Sequence, residues 1–211
     1  METGLNATQN LKNDHITIRR VKDIAQKCSR MLYSNKHIPI EDIEILSVII
    51  EEFIDHFHHG KEEKAYFPET KEKDGFVEDI RKFLIEHELG RRIAIMLRRE
   101  LMELRGKIKE ESDWIIDQDK KEKENTLIYE PVARFLKAYA VFIDDHTGKE
   151  DKFFDSIDKN NTLSDKEDEL LLKHYELCKT QAGGEARMQE MVRLIEYLEE
   201  REWMKQGNEF K

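Results

Sequence analysis

Residues 80–108 read IRKFLIEHELGRRIAIMLRRELMELRGKI. Ile80, Phe83, His87, Gly90, Ala94, Leu97, Leu101, Leu104 and Ile108 recur at three-to-four spacing, with Arg, Glu and Lys between them. That is one apolar face of a helix about eight turns long. It starts after Asp74-Gly75 and continues to about Glu111. On its amino-terminal side, a first helix runs from about Leu11 to Tyr33 along His15, Ile18, Val21, Ala25, Cys28 and Leu32. His37-Ile38-Pro39 breaks it, and a second helix runs from Pro39 to Phe67, stopped by Pro68. On the carboxy-terminal side, DQDKKEKEN at 117–125 reads as a solvated connection. A fourth helix follows to about Ile157, with Pro131 in its first turn or at a kink. Ser164-Asp165-Lys166-Glu167 has the pattern of a capping box, and Gly183-Gly184 splits two shorter helices beyond it.

Composition points the same way. The 211 residues include nine glycines and three prolines, too few breakers for the frequent turns of a sandwich or barrel. The fold class expected is all-α: an antiparallel up-down four-helix bundle over residues 1–160 holding the site in its core. Residues 161–211 form a helical hairpin, packed on the bundle or at a homodimer interface. Charged residues are 39 % and the net charge is −10, which argues against a nucleic-acid partner. The longest apolar run, near Ile45–Ile50, is far short of a membrane span. METGLNATQNLKND at the amino terminus has no apolar segment of a secretory signal. Cys28 and Cys178 sit on apolar faces, as buried thiols of a cytoplasmic protein would.

An internal match carries the chemistry. Residues 58–67 read HHGKEEKAYF and residues 146–155 read HTGKEDKFFD. Extended backwards, one ridge is Ile50, Ile54, His58, Glu62, Tyr66 and the other is Ala138, Phe142, His146, Glu150, Phe154. In both, a His and a Glu one turn apart continue an apolar ridge. Buried without a partner, each such group costs several kcal/mol. Two helices carrying the same pair at one depth need a common partner, and a metal ion is the obvious one. Gly60 and Gly148 sit mid-helix at matching offsets, where close approach of backbone to a site would justify them. His87 and His15 add a third and a fourth helix, whereas His37, His56 and His174 fall elsewhere.

The metal ligands expected are therefore His15, His58, His59, Glu62, His87, His146 and Glu150, with Glu62 and Glu150 as natural bridges between two ions. His59 and Glu63 lie about 100° round the helix from His58 and Glu62, so ligand, partner of a ligand and surface residue all stay open for them. Glu88 is similar. No cysteine lies near these positions, which excludes zinc-finger and iron–sulfur chemistry. Mixed imidazole and carboxylate suit iron, with Mn or Zn as substitutes. Lys61 and Lys149 read as solvent-facing. Tyr66, Phe67, Phe142, Phe153 and Phe154 read as dry core, and Tyr139 as a candidate neighbour of the site. Trp114, Trp203 and Arg98-Arg99 read as surface or packing residues.

His15, His58-x-x-x-Glu62, His87 and His146-x-x-x-Glu150 across four helices resemble the hemerythrin-like HHE cation-binding family, and HHGKEE, EHELGRR and HTGKED look like one bacterial and archaeal branch of it. The resemblance covers about residues 11–157, and more loosely the hairpin. It implies a centre of two non-haem iron ions that binds or senses O2, iron or NO. An oxidoreductase consuming peroxide, O2 or NO is the alternative, and a metal-free helical scaffold a second one. Carried over by position, His15, His58, His87 and His146 would be terminal ligands and Glu62 and Glu150 bridges. Two positions depart from the oxygen carriers. Arg91 stands where they have a second third-helix His, leaving His59 or Glu88 to replace that ligand. Their last carboxylate falls at Asp151, where the internal repeat favours Glu150.

Overall fold

The computed structural model describes residues 5–73, 75–111 and 118–206. Among the described residues every regular element is helical. These are α1 (Ala7–Tyr33), a second helix α2 unbroken over residues 40–70, α3 (Val77–Glu111) and α4 (Gln118–Asn160), followed by α5 (Asp165–Gln181), α6 (Gly184–Glu199) and the short α7 (Glu202–Lys205). None is long and apolar enough to cross a membrane.

Local chemistry explains most of the boundaries. Asn6 accepts the Gln9 N–H at 2.7 Å, so α1 begins at Ala7 rather than near Leu11. Ser164 and Glu167 form the expected reciprocal cap on α5. Gly183 and Gly184 take φ of 103° and 80°, a turn open to glycine at little cost. The start of the fourth helix also differs. Residues 118–125 are helix rather than connection, since Lys, Glu and Gln are good helix formers. Pro131 accordingly lies inside α4, not in its first turn. Asp74, Trp114 and Asp117 lie outside the described residues.

The second helix changes its winding. It is α-wound over Ile40–Ile49, π-wound over Ile50–His59 and Glu62–Tyr66, and α-wound again over Phe67–Thr70. Pro68 therefore does not end it. It stands where the winding returns to α, a first-turn position that tolerates a missing N–H.

Two apolar clusters hold the helices together. One gathers Ile18 to Leu32 of α1, Ile43 to Phe57 of α2, Ala94 to Leu104 of α3 and Val132 to Ile143 of α4. The other gathers Ala7 and Leu11, Ala65 to Phe67, Phe76 to Phe83, and Phe153 to Ile157. Each of the four long helices therefore contributes side chains to both clusters. Leu171 and Tyr175 of α5 join the second cluster, and Met188, Met191, Ile195 and Leu198 of α6 join the first. Cys28 and Cys178 are free and buried. Asp42 anchors the chain end. It is buried and accepts from Arg201 Nε and Trp203 Nε1, each at 2.8 Å.

Candidate metal centre

Between the two clusters lies a polar layer. His15, His58, His59, Glu62, His87, His146 and Glu150 are all buried there. Their ligand atoms form two groups, His15/His58/Glu62/Glu150 and His59/His87/His146, with the atoms of each within 4.8 Å of one another. All seven residues singled out in the sequence are thus brought together, while His37, His56 and His174 are exposed elsewhere.

The π winding explains how adjacent His58 and His59 both turn inward. Closing at i→i+5 puts more residues in each turn, which narrows the angle between successive side chains. His59 stacks on His87, with ring centroids 3.9 Å apart at 16°. Glu62 reaches His58 Nε2 at 3.3 Å and His87 Nε2 at 3.4 Å. Glu150 reaches His146 Nε2 at 3.2 Å, His87 Nε2 at 3.3 Å and His15 Nε2 at 3.4 Å. Each carboxylate therefore stands between the two groups of ligand atoms.

Behind the inner atoms is a ring of outer carboxylates. The Nδ1–H of His58 donates to Asp14 at 3.0 Å and that of His87 to Glu63 at 2.7 Å. Likewise His146 donates to Glu86 at 2.8 Å and His15 to Asp151 at 2.7 Å. Each outer carboxylate comes from the helix before the one carrying its histidine, and α4 returns the bond to α1. A carboxylate on Nδ1–H fixes the tautomer and aims the Nε2 lone pair at the centre. Every outer carboxylate also meets a cation. Lys61 bonds Asp14, Arg91 donates to Glu63 at 2.7 Å, Lys149 to Glu86 at 2.7 Å, and Arg19 bonds Asp151. The outer charges thus offset one another, leaving Glu62 and Glu150 as the uncompensated pair.

Proton affinities report that pair. Burial alone would lower the His15 pKa, but Asp151 and Glu150 outweigh it and raise it to about 9. His58 and His87 are also raised against the pull of burial, His58 by Glu62 and Asp14, His87 by Glu150, Glu62 and Glu63. Burial and the neighbouring His87 hold His59 well below its ordinary value, as a neutral imidazole. Glu62, despite its burial, is kept ionised by His58 and His87.

Hydrogen bonding within the protein does not satisfy the layer. Both oxygens of Glu62, one of Glu150, both nitrogens of His59 and Nε2 of His146 are buried without a hydrogen-bond partner. His87 Nε2 bonds the other oxygen of Glu150 at 3.3 Å, whereas the remaining ring nitrogens near these carboxylates are close enough in distance but off the angle a hydrogen bond needs. Native interiors rarely leave so many polar atoms unmet in one place. The carboxylates, together with imidazoles whose protons a metal displaces, fit one or two divalent cations.

Several expectations change. Lys61 is not solvent-facing but 1 % exposed, bonded to Asp14 and, at 2.7 Å, to Asn10. Its ammonium needed a carboxylate within reach, and half-buried Asp14 supplies one. Lys149 does reach solvent, with its head on Glu86. Gly60 and Gly148 are not required by crowding. A Cβ at Gly148 meets nothing within 4 Å, and at Gly60 only the tip of Lys64. Gly90 is the glycine that space demands, because a Cβ there would lie 2.6 Å from Phe142, whose ring stacks on His146 at 5.3 Å. Glu88 pairs outside with Arg92. Tyr139 lies in the first apolar cluster rather than against the centre. Asp14 and Glu86 escaped the sequence reading. Each immediately precedes an inward histidine, and that adjacency was the available signal.

Compared with family models, curated proteins and solved structures, the chain matches none.

Proposed function

We propose that the chain is a hemerythrin-like protein whose four long helices form an antiparallel bundle around two non-haem iron ions. In this reading it binds or senses O2, or another small diatomic such as NO. The observation that carries the reading is the layer of seven buried side chains with six polar atoms left unmet inside it. His15 and His58 would hold one ion and His59, His87 and His146 the other, with Glu62 and Glu150 spanning both. His59 brings the ring nitrogen that the position of Arg91 supplies in the oxygen carriers. Iron in such a set supplies redox chemistry toward O2, NO or peroxide.

The chain's own residues set the conditions. The outer carboxylates hold Nδ1–H of His15, His58, His87 and His146, which turns each Nε2 toward the centre. Phe67, Phe83, Phe142 and Phe154 stack on or edge toward the inner histidines, at 5.3 to 6.1 Å between centroids. They exclude water and favour a small neutral ligand over a bulky or charged one.

The test is metal stoichiometry after anaerobic Fe(II) loading, on wild type and on His58→Ala/His146→Ala, followed by an optical spectrum on admitting air. About two irons per wild-type chain, fewer in the variant, and a new charge-transfer absorption are expected. Iron retained equally by both, or by neither, leaves a metal-free helical scaffold. A spectrum that persists marks a carrier or sensor, and one that is consumed over many turnovers marks the oxidoreductase.

A further inference from the structure

A cavity of about 750 Å³ opens beside the π-wound stretch of α2. Glu51, Glu52, Asp55 and Glu63 line it from α2, facing Arg91 of α3 and Arg187 of α6. Arg91 spans Asp55 and Glu63 at 2.7 Å each, and Arg187 holds Glu52 through two bonds of 2.6 and 2.7 Å. Lys64 is the remaining cation of the lining, so its carboxylates outnumber its own cations by one, with Arg98 pairing Glu51 from outside at 2.6 Å.

Directly behind Asp55 is His59. It is 3 % exposed, neither of its nitrogens has a hydrogen-bond partner, and its Nδ1 lies 3.5 Å from the Asp55 carboxylate. On its other side the ring stacks on His87, inside the centre. Glu63 adjoins Glu62 in sequence and carries His87 on its outer face. A run of carboxylates therefore leads from solvent to an unpartnered imidazole of the polar layer. A second cavity, of about 500 Å³ beside Glu86, differs in charge. Lys82, Lys149 and Lys152 there outnumber Asp79 and Glu86, and Phe83, Phe153 and Ser156 complete its lining. A divalent cation is drawn to the first opening and repelled by the second.

We propose that the acidic cavity beside α2 is the port through which a divalent metal ion reaches the centre. Asp55 receives the ion and passes it to His59, and Arg91 reoccupies Asp55 and Glu63 behind it. The proposal rests on the metal-centre reading above and adds the route to it.

The test is anaerobic stopped-flow loading with Co(II) alone, followed by its visible absorption, with final stoichiometry measured separately. Asp55→Asn keeps the shape of the port and removes its charge. Loading should slow about tenfold or more with the final stoichiometry unchanged. Arg91→Gln should load faster than wild type. Asp79→Asn removes the same charge beside the second cavity and should load at the wild-type rate. Rising salt should slow the wild type by screening the port. Equal rates for Asp55→Asn and wild type, or equal slowing by Asp79→Asn, overturn the port. A lower final stoichiometry in Asp55→Asn also overturns it, by making Asp55 a ligand. Wild type that takes up no Co(II), or uptake indifferent to His58→Ala/His146→Ala, overturns the metal reading itself, a result separate from the ranking of port variants.

Discussion

Oε1 of Glu63 accepts the Nδ1–H of His87 at 2.7 Å and, on the same oxygen, the guanidinium of Arg91 at 2.7 Å. One carboxylate on α2 thereby orients an inward histidine on α3 and is itself held by a cation one helical turn further along α3. Burial would raise the Glu63 pKa, but His87 and Arg91 bring it below the usual carboxylate range.

Removing that carboxylate charge should weaken metal binding without unfolding the protein. Glu63→Gln is expected to lower affinity about 10–100-fold, the usual effect of losing the partner behind a ligating histidine. Competition titration of Co(II) against a chelator measures it. Wild-type affinity in the variant would show that His87 needs no such support.

The metal-free protein should lose stability as the solution becomes alkaline. The His15 pKa in the fold, about 9, lies above its ordinary value of 6.5, so folding favours the protonated ring. That contribution, at most ~3 kcal/mol, is complete below about pH 6.5 and gone above about pH 9. Metal-loaded protein, with its ligating imidazoles neutral, should not share the loss. Thermal melts from about pH 6 to about pH 9, with and without metal, decide the point. Parallel curves would refute it.

Two glycine substitutions should act in opposite directions. Gly90→Ala places a methyl 2.6 Å from the Phe142 ring, which is pinned on His146, and should destabilise by ~1–3 kcal/mol. Gly148→Ala meets nothing and should stabilise α4 by ~0.5–1 kcal/mol. Urea unfolding of both variants provides the comparison, and destabilisation of similar size in each would contradict it.

Asp42→Ala should release the chain end. It removes the acceptor for Arg201 and Trp203, leaving a buried indole N–H unpaired at ~1–3 kcal/mol. The indole of Trp203 is now 4 % exposed, so its emission should shift to the red. An unshifted spectrum would mean that packing alone seats the residue.

The sequence made the helices and the inner residues legible for a physical reason. An apolar stripe has a period, and a histidine or glutamate on that stripe interrupts it visibly, as His87 does between Phe83 and Ala94. Outer residues have no such contrast. Asp14 and Glu86 lie among other charges on helices with many solvated ones, and only their adjacency to His15 and His87 separates a half-buried acceptor from a surface acid. Lys61 reads as solvent-facing for the same reason. Its burial depends on Asn10 and Asp14 from another helix. The π winding is illegible in a pattern with the α period, so the sequence leaves the direction of His59 open. For Gly60 and Gly148 the offset repeats, yet the crowding lies at Gly90.

The bonds Asp14–His58, Glu63–His87, Glu86–His146 and Asp151–His15 form a closed circuit. Any assembly of three of these helices leaves an imidazole without its acceptor on one side and a carboxylate without its donor on the other. Such partial assemblies carry desolvated, unpaired groups and are penalised relative to both the open chain and the finished fold. During synthesis the circuit stays open until Asp151 can meet His15, almost three quarters of the way along the chain. The polar layer thus acts as a check on completeness, steepening the cooperativity of folding and withholding a finished polar layer from any shorter intermediate.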